Sequence, residues 1–214
     1  VMTVLVIGGG ASGMAAALTA AEAGHRVLLA ERQSRVGRKL LATGNGRCNL
    51  SNLHASPAHY HGAAVDFCRP ALERFPSEET LGWFERLGLL TAAEPSGRVY
   101  PVSNMAGSVL DVLRYALERP EIELRTGCVI TQLRHRGGAF TARMENGETL
   151  TAERVILAAG GAAGSRVGGV MDGYQLAKQL GHHRTALLPS LVQRKTDPTY
   201  PRGLKGVKAE ADIR

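Results

Sequence analysis

The sequence predicts an α/β fold of three layers, a Rossmann-like parallel sheet with a small β-meander. Three observations predict it. An apolar run, Val4-Leu5-Val6-Ile7, meets Gly8-Gly9-Gly10-Ala11-Ser12-Gly13 and then a small-residue stretch, Ala15-Ala16-Ala17-Leu18 with Ala20-Ala21. A second apolar run, Arg26-Val27-Leu28-Leu29-Ala30, ends on the acid Glu31. Further on, Phe140 to Met144 and Glu148 to Leu150 flank Asn146-Gly147, a strong hairpin signal. The first two observations describe a strand, a tight turn, a helix and a second strand, the unit of a Rossmann-like domain.

Each part of that unit has a physical reason. Gly8 suits the tight turn, Gly10 lets backbone approach a pyrophosphate, and Gly13 lets helix and strand pack closely. The helix that follows points free N–H groups and about half a positive charge at the phosphates, with Gly8, Gly10, Ala11, Ser12 and Gly13 as the candidate contacts. Gly24 sits where a helix C-cap belongs. Glu31 lies eighteen residues after Gly13, close to the roughly 20 expected of a carboxylate that accepts hydrogen bonds from a ribose. A carboxylate there repels a 2′-phosphate, so FAD or NAD is expected rather than NADP.

The segment from Val36 to Asn52 is too rich in glycine and amides for a buried strand or a long helix and is expected to be a loop. Between Arg35 and Arg47 it carries four basic residues and no acid, suited to a pyrophosphate or an anionic reduced flavin, or to a solvated basic loop. Ser77-Glu78-Glu79 before Leu81, Phe84 and Leu87 reads as a capped amphipathic helix ending at Gly88. Ser108 to Asp111 has capping-box spacing before Val112, Leu113, Ala116 and Leu117. Glu121 to Leu133 reads as a strand.

Composition sets the outer limits. The 214 residues suffice for one sizeable α/β core, or one domain with part of another, and 44% hydrophobic with 21% charged residues argues against disorder. No apolar run approaches the ~20 residues that span a bilayer, and no signal peptide is expected, since the first apolar run leads straight into the glycine turn. Val1 stands before Met2, which points to a start other than the native one. Cys48, Cys68 and Cys128 are odd in number and lack metal-ligand spacing, so a reducing cytoplasm is expected and no metal site. The net charge of +7 invites a nucleic-acid reading, but the basic residues are spread along the chain and no nucleic-acid partner is expected.

Longer motifs carry a resemblance. Gly37-Arg-Lys-Leu-Leu-Ala-Thr-Gly-Asn-Gly-Arg-Cys-Asn-Leu-Ser-Asn52 resembles the signature of the aminoacetone-oxidase-like or BaiN-like FAD-dependent flavoprotein oxidoreductases of bacteria and archaea. Gly97-Arg98-Val99-Tyr100-Pro101-Val102-Ser103-Asn104, Val155 to Gly161, Asp172-Gly173-Tyr174, Leu180-Gly181-His182 and Leu188-Pro189-Ser190-Leu191-Val192 match in the same order. The resemblance implies FAD as cofactor, with Glu31 and Arg32 at the adenosine end. It implies that Arg38, Lys39 and the loop Gly44, Asn45, Gly46, Arg47, Cys48 and Asn49 pass the ribityl chain and flavin ring. Ile130 would meet adenine, and Ala159, Gly160 and Gly161 would lie near the pyrophosphate.

The same resemblance implies an FAD-binding domain over residues 1–190 and the start of an inserted β-rich substrate domain over 191–214, with the final flavin-contacting segment lying beyond Arg214. A flavin accepts a hydride or electrons itself, so no protein nucleophile is demanded. Arg47, Cys48 and Tyr100 are candidate catalytic residues: Arg47 to tune the flavin or fix the loop, Cys48 as a redox thiol or a packing group, Tyr100 to stack or to pack. His54, His59 and His61 are expected to be solvated loop residues, and His182 and His183 to follow a helix end. The implied activity is flavin redox chemistry on a small organic substrate, with dioxygen or NAD(P)H as the other partner. Two alternatives stay open: a flavin-dependent tRNA-modifying enzyme and a non-catalytic FAD-binding fragment.

Overall fold

The computed structural model of the chain describes residues 1–62, 64–188, 197 and 199–203. It divides into two compact units, Val1–His183 and Arg184–Arg214. In the second unit the described residues include a short helix, Thr199–Gly203, where Asp197 accepts hydrogen bonds from the backbone N–H and hydroxyl of Thr199. Residues 189–196, within which the resemblance puts its domain boundary, lie outside the described residues.

The first unit is built on a four-stranded sheet. β1 (Thr3–Ile7) leads through the glycine turn into α1 (Ala11–Glu22) and back into β2 (Arg26–Ala30), which pairs parallel with β1. Gly24, at φ +80°, ends the helix as foreseen, and the N–H groups of Gly24 and His25 return to Ala21 O and Ala20 O. β1 is buried on both faces. Val4 and Val6 pack with Met14, Leu18 and Leu29 on the helical side, while Leu5 and Ile7 join Leu133, Ala142 and Leu150 on the other. A continuous apolar run rather than an alternating one is what such a strand requires.

Two short strands and two helices follow: β3 (Ser51–Asn52), α2 (Arg69–Arg74), α3 (Ser77–Arg86) and β4 (Thr91–Ala93). β5 (Arg98–Pro101) pairs antiparallel with both β3 and β4 to make a second sheet. α3 spans the predicted residues and its C-terminal turn reaches Gly88 at φ +91°, but Ser77 does not cap it. Pro76 takes the cap position, and the Ser77 hydroxyl donates instead to Asn52 O, anchoring the helix to β3. α4 (Ala106–Ala116) also departs from its predicted capping box. Met105 is the N-cap, and Ser108, inside the first turn, accepts from the Ser103 hydroxyl at 2.8 Å.

The predicted strand Glu121 to Leu133 is two strands in different sheets. β6 (Ile122–Arg125) is parallel to β2, and β7 (Ile130–Arg136) opens the meander with β8 (Ala139–Met144) and β9 (Thr149–Ala152). Gly127, at φ +65°, turns the chain between them, and the N–H groups of Gly127 and Cys128 are bonded to Gln33 O and Glu31 O beyond the end of β2. The apolar residues Ile122 and Leu124 before the break and Ile130 and Leu133 after it read as one run along the chain, and only the sheet pairing assigns them to different strands. The Asn146-Gly147 hairpin joins β8 to β9 as expected. β10 (Arg154–Leu157) returns to the parallel sheet, giving the order β10-β1-β2-β6. α5 (Asp172–Gln179) then ends near Gly181 at φ +87°. The fold is thus the three-layer, Rossmann-like α/β arrangement. Among the described residues no helix is long and apolar enough to cross a membrane.

Candidate functional site

A cleft of about 930 Å³ opens where the C-terminal ends of β1 and β2 meet the turn after β10. This is the position at which open parallel sheets bind ligands. Its floor is the glycine turn, and the glycines there differ sharply in what they tolerate. A Cβ on Gly8, which sits at φ +109°, would stand 2.4 Å from Ala158 O, and one on Gly13 would stand 1.7 Å from Gly8 O. Those two positions are closed by the protein itself. A Cβ on Gly10 would meet nothing within 4 Å and would project into open space beside the start of α1.

Gly9 is a further required glycine, beyond the three that the dinucleotide motif demands. A Cβ there would lie 2.6 Å from Val36 Cγ1 and 3.0 Å from Glu31 Cβ, so a side chain at this position would run first into Val36 and then into the acid at the end of β2. The run of three glycines was the available signal. Glu31 is buried. Its Oε2 accepts from Gly9 N–H at 2.6 Å and its Oε1 from Gln33 N–H at 2.7 Å, which holds the carboxylate fixed at the edge of the cleft that Glu31 lines and leaves each oxygen capacity for a further donor. The helix N-terminus is bare: Gly10 is the N-cap, no side chain caps α1, and its first turn holds no acid.

Basic side chains edge the opening. Arg32 Nη1 pairs with Asp172 Oδ2 at 2.6 Å, Arg38 Nη1 donates to Gln33 Oε1 at 3.0 Å, and Lys39 Nζ reaches Gly161 O at 3.4 Å. Asp172, at the start of α5, entered the sequence reading only as part of the Asp172-Gly173-Tyr174 motif and Gln33 not at all, since nothing local tells that they meet Arg32 and Arg38. Ile130 lines the cleft together with Cys128, and Ala159 and Gly160 line it from the turn after β10. Gly161 contributes its carbonyl to Lys39 rather than surface to the cleft wall.

The basic loop divides. Thr43, Cys48 and Asn49 line the cleft, whereas Gly44, Asn45 and Gly46 form an exposed tip outside it. The tip is left-handed, with φ +55°, +56° and +85°, and Cys48 is left-handed too at +58°. Such a conformation costs a non-glycine residue roughly 1–3 kcal/mol. Arg47 and Tyr100 do not line the cleft. Arg47 donates to Glu94 Oε1 at 2.7 Å and to Asn104 Oδ1 at 2.6 Å, and its guanidinium stands 3.8 Å over the ring of the buried Tyr100. Of the two roles open to Arg47, loop fixing is the one its contacts describe.

Cys48 is buried, and burial pushes its thiol up, offset in part by a hydrogen bond with Thr43. A redox thiol needs the opposite shift, toward thiolate, so packing is the role this geometry supports. Burial likewise pushes the Cys128 thiol up. Both thiols are free. Among the described residues no group of His, Cys, Asp and Glu is arranged to hold a metal ion.

Comparison with known proteins places this geometry in a family. The chain is 39% identical over 210 residues to a 3-dehydro-bile acid delta(4,6)-reductase of Clostridium scindens, covering 97% of this chain and 51% of that protein. It is 30% identical over 194 residues to a ribosomal RNA dihydrouridine synthase of Escherichia coli, covering 89% of this chain and 48% of that protein. The chain therefore spans about half the length of these curated relatives. Among solved structures, the open conformation of a flavocytochrome c3 fumarate reductase matches with a TM-score of 0.59 at 19% identity, over 84% of this chain and 40% of that one, a likeness of fold. The description HI0933-like protein Rossmann domain matches residues 2–204, nearly the whole sequence, and the chain belongs to that family.

Proposed function

We propose that this chain is the FAD-binding part of a flavoprotein oxidoreductase that reduces a ring carbon–carbon double bond in a small organic substrate. One observation carries the cofactor: the open space over Gly10, at an uncapped helix N-terminus, with the fixed Glu31 carboxylate lining the same cleft. A diphosphate fits the first feature, because backbone can approach it and the helix end is electropositive. A ribose hydroxyl fits the second, since it can donate to the free lone pairs of Glu31. Arg38 and Lys39 supply positive charge at the rim.

When bound, FAD supplies the hydride-transfer chemistry. The chain's own residues bind and orient it. Gly8, Gly10, Ala11 and Ser12 would cradle the pyrophosphate, Glu31 the adenosine ribose, Ile130 the adenine, and Thr43, Cys48 and Asn49 would form the wall along the flavin half. The substrate class is supported by what the two curated relatives have in common. A delta(4,6)-reductase and a dihydrouridine synthase both saturate a double bond in a ring. The bile-acid name belongs to the more similar of the two, which favours a small molecule over RNA.

The test is direct. The purified chain is reconstituted with FAD, its visible spectrum recorded and the released nucleotide identified. The flavin is then reduced anaerobically and challenged with a cyclic enone, with uridine-containing RNA and with dioxygen. Reoxidation by the enone with saturation of its double bond supports the proposal. A colourless chain that takes up no FAD overturns the cofactor assignment, and reoxidation by RNA alone overturns the substrate class.

A further inference from the structure

The loop from Thr43 to Asn49 poses a problem of stability. Gly44, Asn45, Gly46 and Cys48 are all left-handed, and so is Asn104, which approaches from beyond β5 at φ +58°. Left-handed non-glycine residues persist only where their surroundings over-determine them. Packing does not do this at the tip, because residues 42–46 are exposed. The loop's own backbone bonds, Arg47 N–H to Gly44 O and Cys48 N–H to Thr43 O, only close it on itself.

Arg47 ties the loop to something rigid. Its guanidinium spreads over Tyr100 in β5, donates through Nη2 to Glu94 just after β4, and donates through Nε to Asn104. All three partners belong to the antiparallel β4–β5 pair or the turn that leaves it. A planar fork that donates from two edges while stacking by its face is available to arginine and not to lysine. On either side of this anchor stand Thr43, Cys48 and Asn49, the loop residues that line the cleft.

We infer that Arg47 is a positioning residue for the flavin half of the site: through Glu94, Asn104 and Tyr100 it locks the left-handed loop, so that this wall of the cleft is formed before a flavin arrives. The inference rests on the FAD reading above. It separates the two halves of the cofactor site, since the glycine turn and Glu31 make no contact with the clamp. Loss of Arg47 therefore loosens the flavin half and leaves the adenosine half as it was.

The experiment titrates the 214-residue chain with FAD and, separately, with ADP, which occupies only the adenosine half. In Arg47→Ala the dissociation constant for FAD is expected to rise tenfold or more, while that for ADP stays within twofold of wild type and the visible circular dichroism of bound flavin weakens. Glu94→Ala and Asn104→Ala each remove one arm and should give smaller losses of the same kind. Arg47→Lys, which keeps the charge, should fall between them and carries the test if the alanine variant does not fold. Equal loss of FAD and ADP affinity would mark a merely structural residue and overturn the inference, as would an unchanged FAD affinity. Wild-type chain that binds FAD no tighter than ADP would overturn it too, while leaving the nucleotide site intact. Wild-type chain that binds neither ligand would remove the FAD reading itself.

Discussion

The carboxylate of Glu31 accepts the backbone N–H of Gly9 at 2.6 Å, so the acid that ends β2 is bonded to the turn that follows β1. A second bond, from Gln33 N–H at 2.7 Å, completes the cradle. Glu31→Gln keeps the shape but puts an amide NH₂ where one of the two N–H donors needs an acceptor. A buried donor left unpaired costs about 1–3 kcal/mol. Urea unfolding of Glu31→Gln should show a loss in that range, and FAD titration should show weakened binding in the same variant.

Gly10 and Gly13 sit three residues apart in one motif, yet they should fail in different ways. A side chain at Gly13 runs into Gly8 O, so Gly13→Ala is expected to cost about 3 kcal/mol or more and to damage the fold itself. Gly10→Val meets no protein atom at its Cβ and should melt within about 3 °C of wild type. It should nonetheless abolish nucleotide binding, because its side chain occupies the place of the pyrophosphate. Thermal melts beside FAD titrations separate the two outcomes.

The Cys48 thiol is pushed above its ordinary value of 9.0 mainly by burial. The folded chain thus holds that proton more tightly than the unfolded chain does. Its contribution to stability is complete below pH 9 and is lost as pH rises beyond that, where the unfolded thiol ionises first. Melting temperatures measured between pH 8 and pH 10.5 should fall more steeply in wild type than in Cys48→Ala, after correction for the variant's lower plateau. Cys48 should also resist alkylation by iodoacetamide at pH 7.5 in the native chain and react fully in urea.

Arg32 and Asp172 form an ion pair at 2.6 Å, but both side chains are more than a third exposed. Exposed pairs contribute about 0–1 kcal/mol. Asp172→Asn should therefore shift the melting temperature by no more than about 3 °C, and the shift should shrink in 0.5 M salt. A larger or salt-independent loss would mean that Asp172 serves the helix start of α5 rather than Arg32.

Much of the nucleotide half was legible in the sequence because its constraints are local. A tight turn before a helix demands glycine at Gly8, the small-residue stretch of α1 announces a close fit to the sheet, and Asn146-Gly147 specifies its own hairpin. The same holds for Gly24, whose positive φ is a property of the helix end and needs no distant partner. Where local signals were read too literally, tertiary contacts had taken the residue for another purpose. Ser77 and Ser108 have the chemistry of caps, but their hydroxyls are bonded to Asn52 O and to Ser103.

By itself, then, the sequence determined the strand, turn, helix and acid unit, the three-layer α/β class of the fold and the family. These rest on periodicity, on glycine's freedom at positive φ and on motifs contiguous in the chain. Tertiary structure alone decided that Gly127 splits one apolar stretch between two sheets, that Asp172 meets Arg32 across 140 residues, and that Arg47 turns away from the cleft toward Glu94, Asn104 and Tyr100. Each of those depends on which surfaces the packed sheets bring within hydrogen-bonding reach, and residue type and spacing along the chain carry no record of that distance.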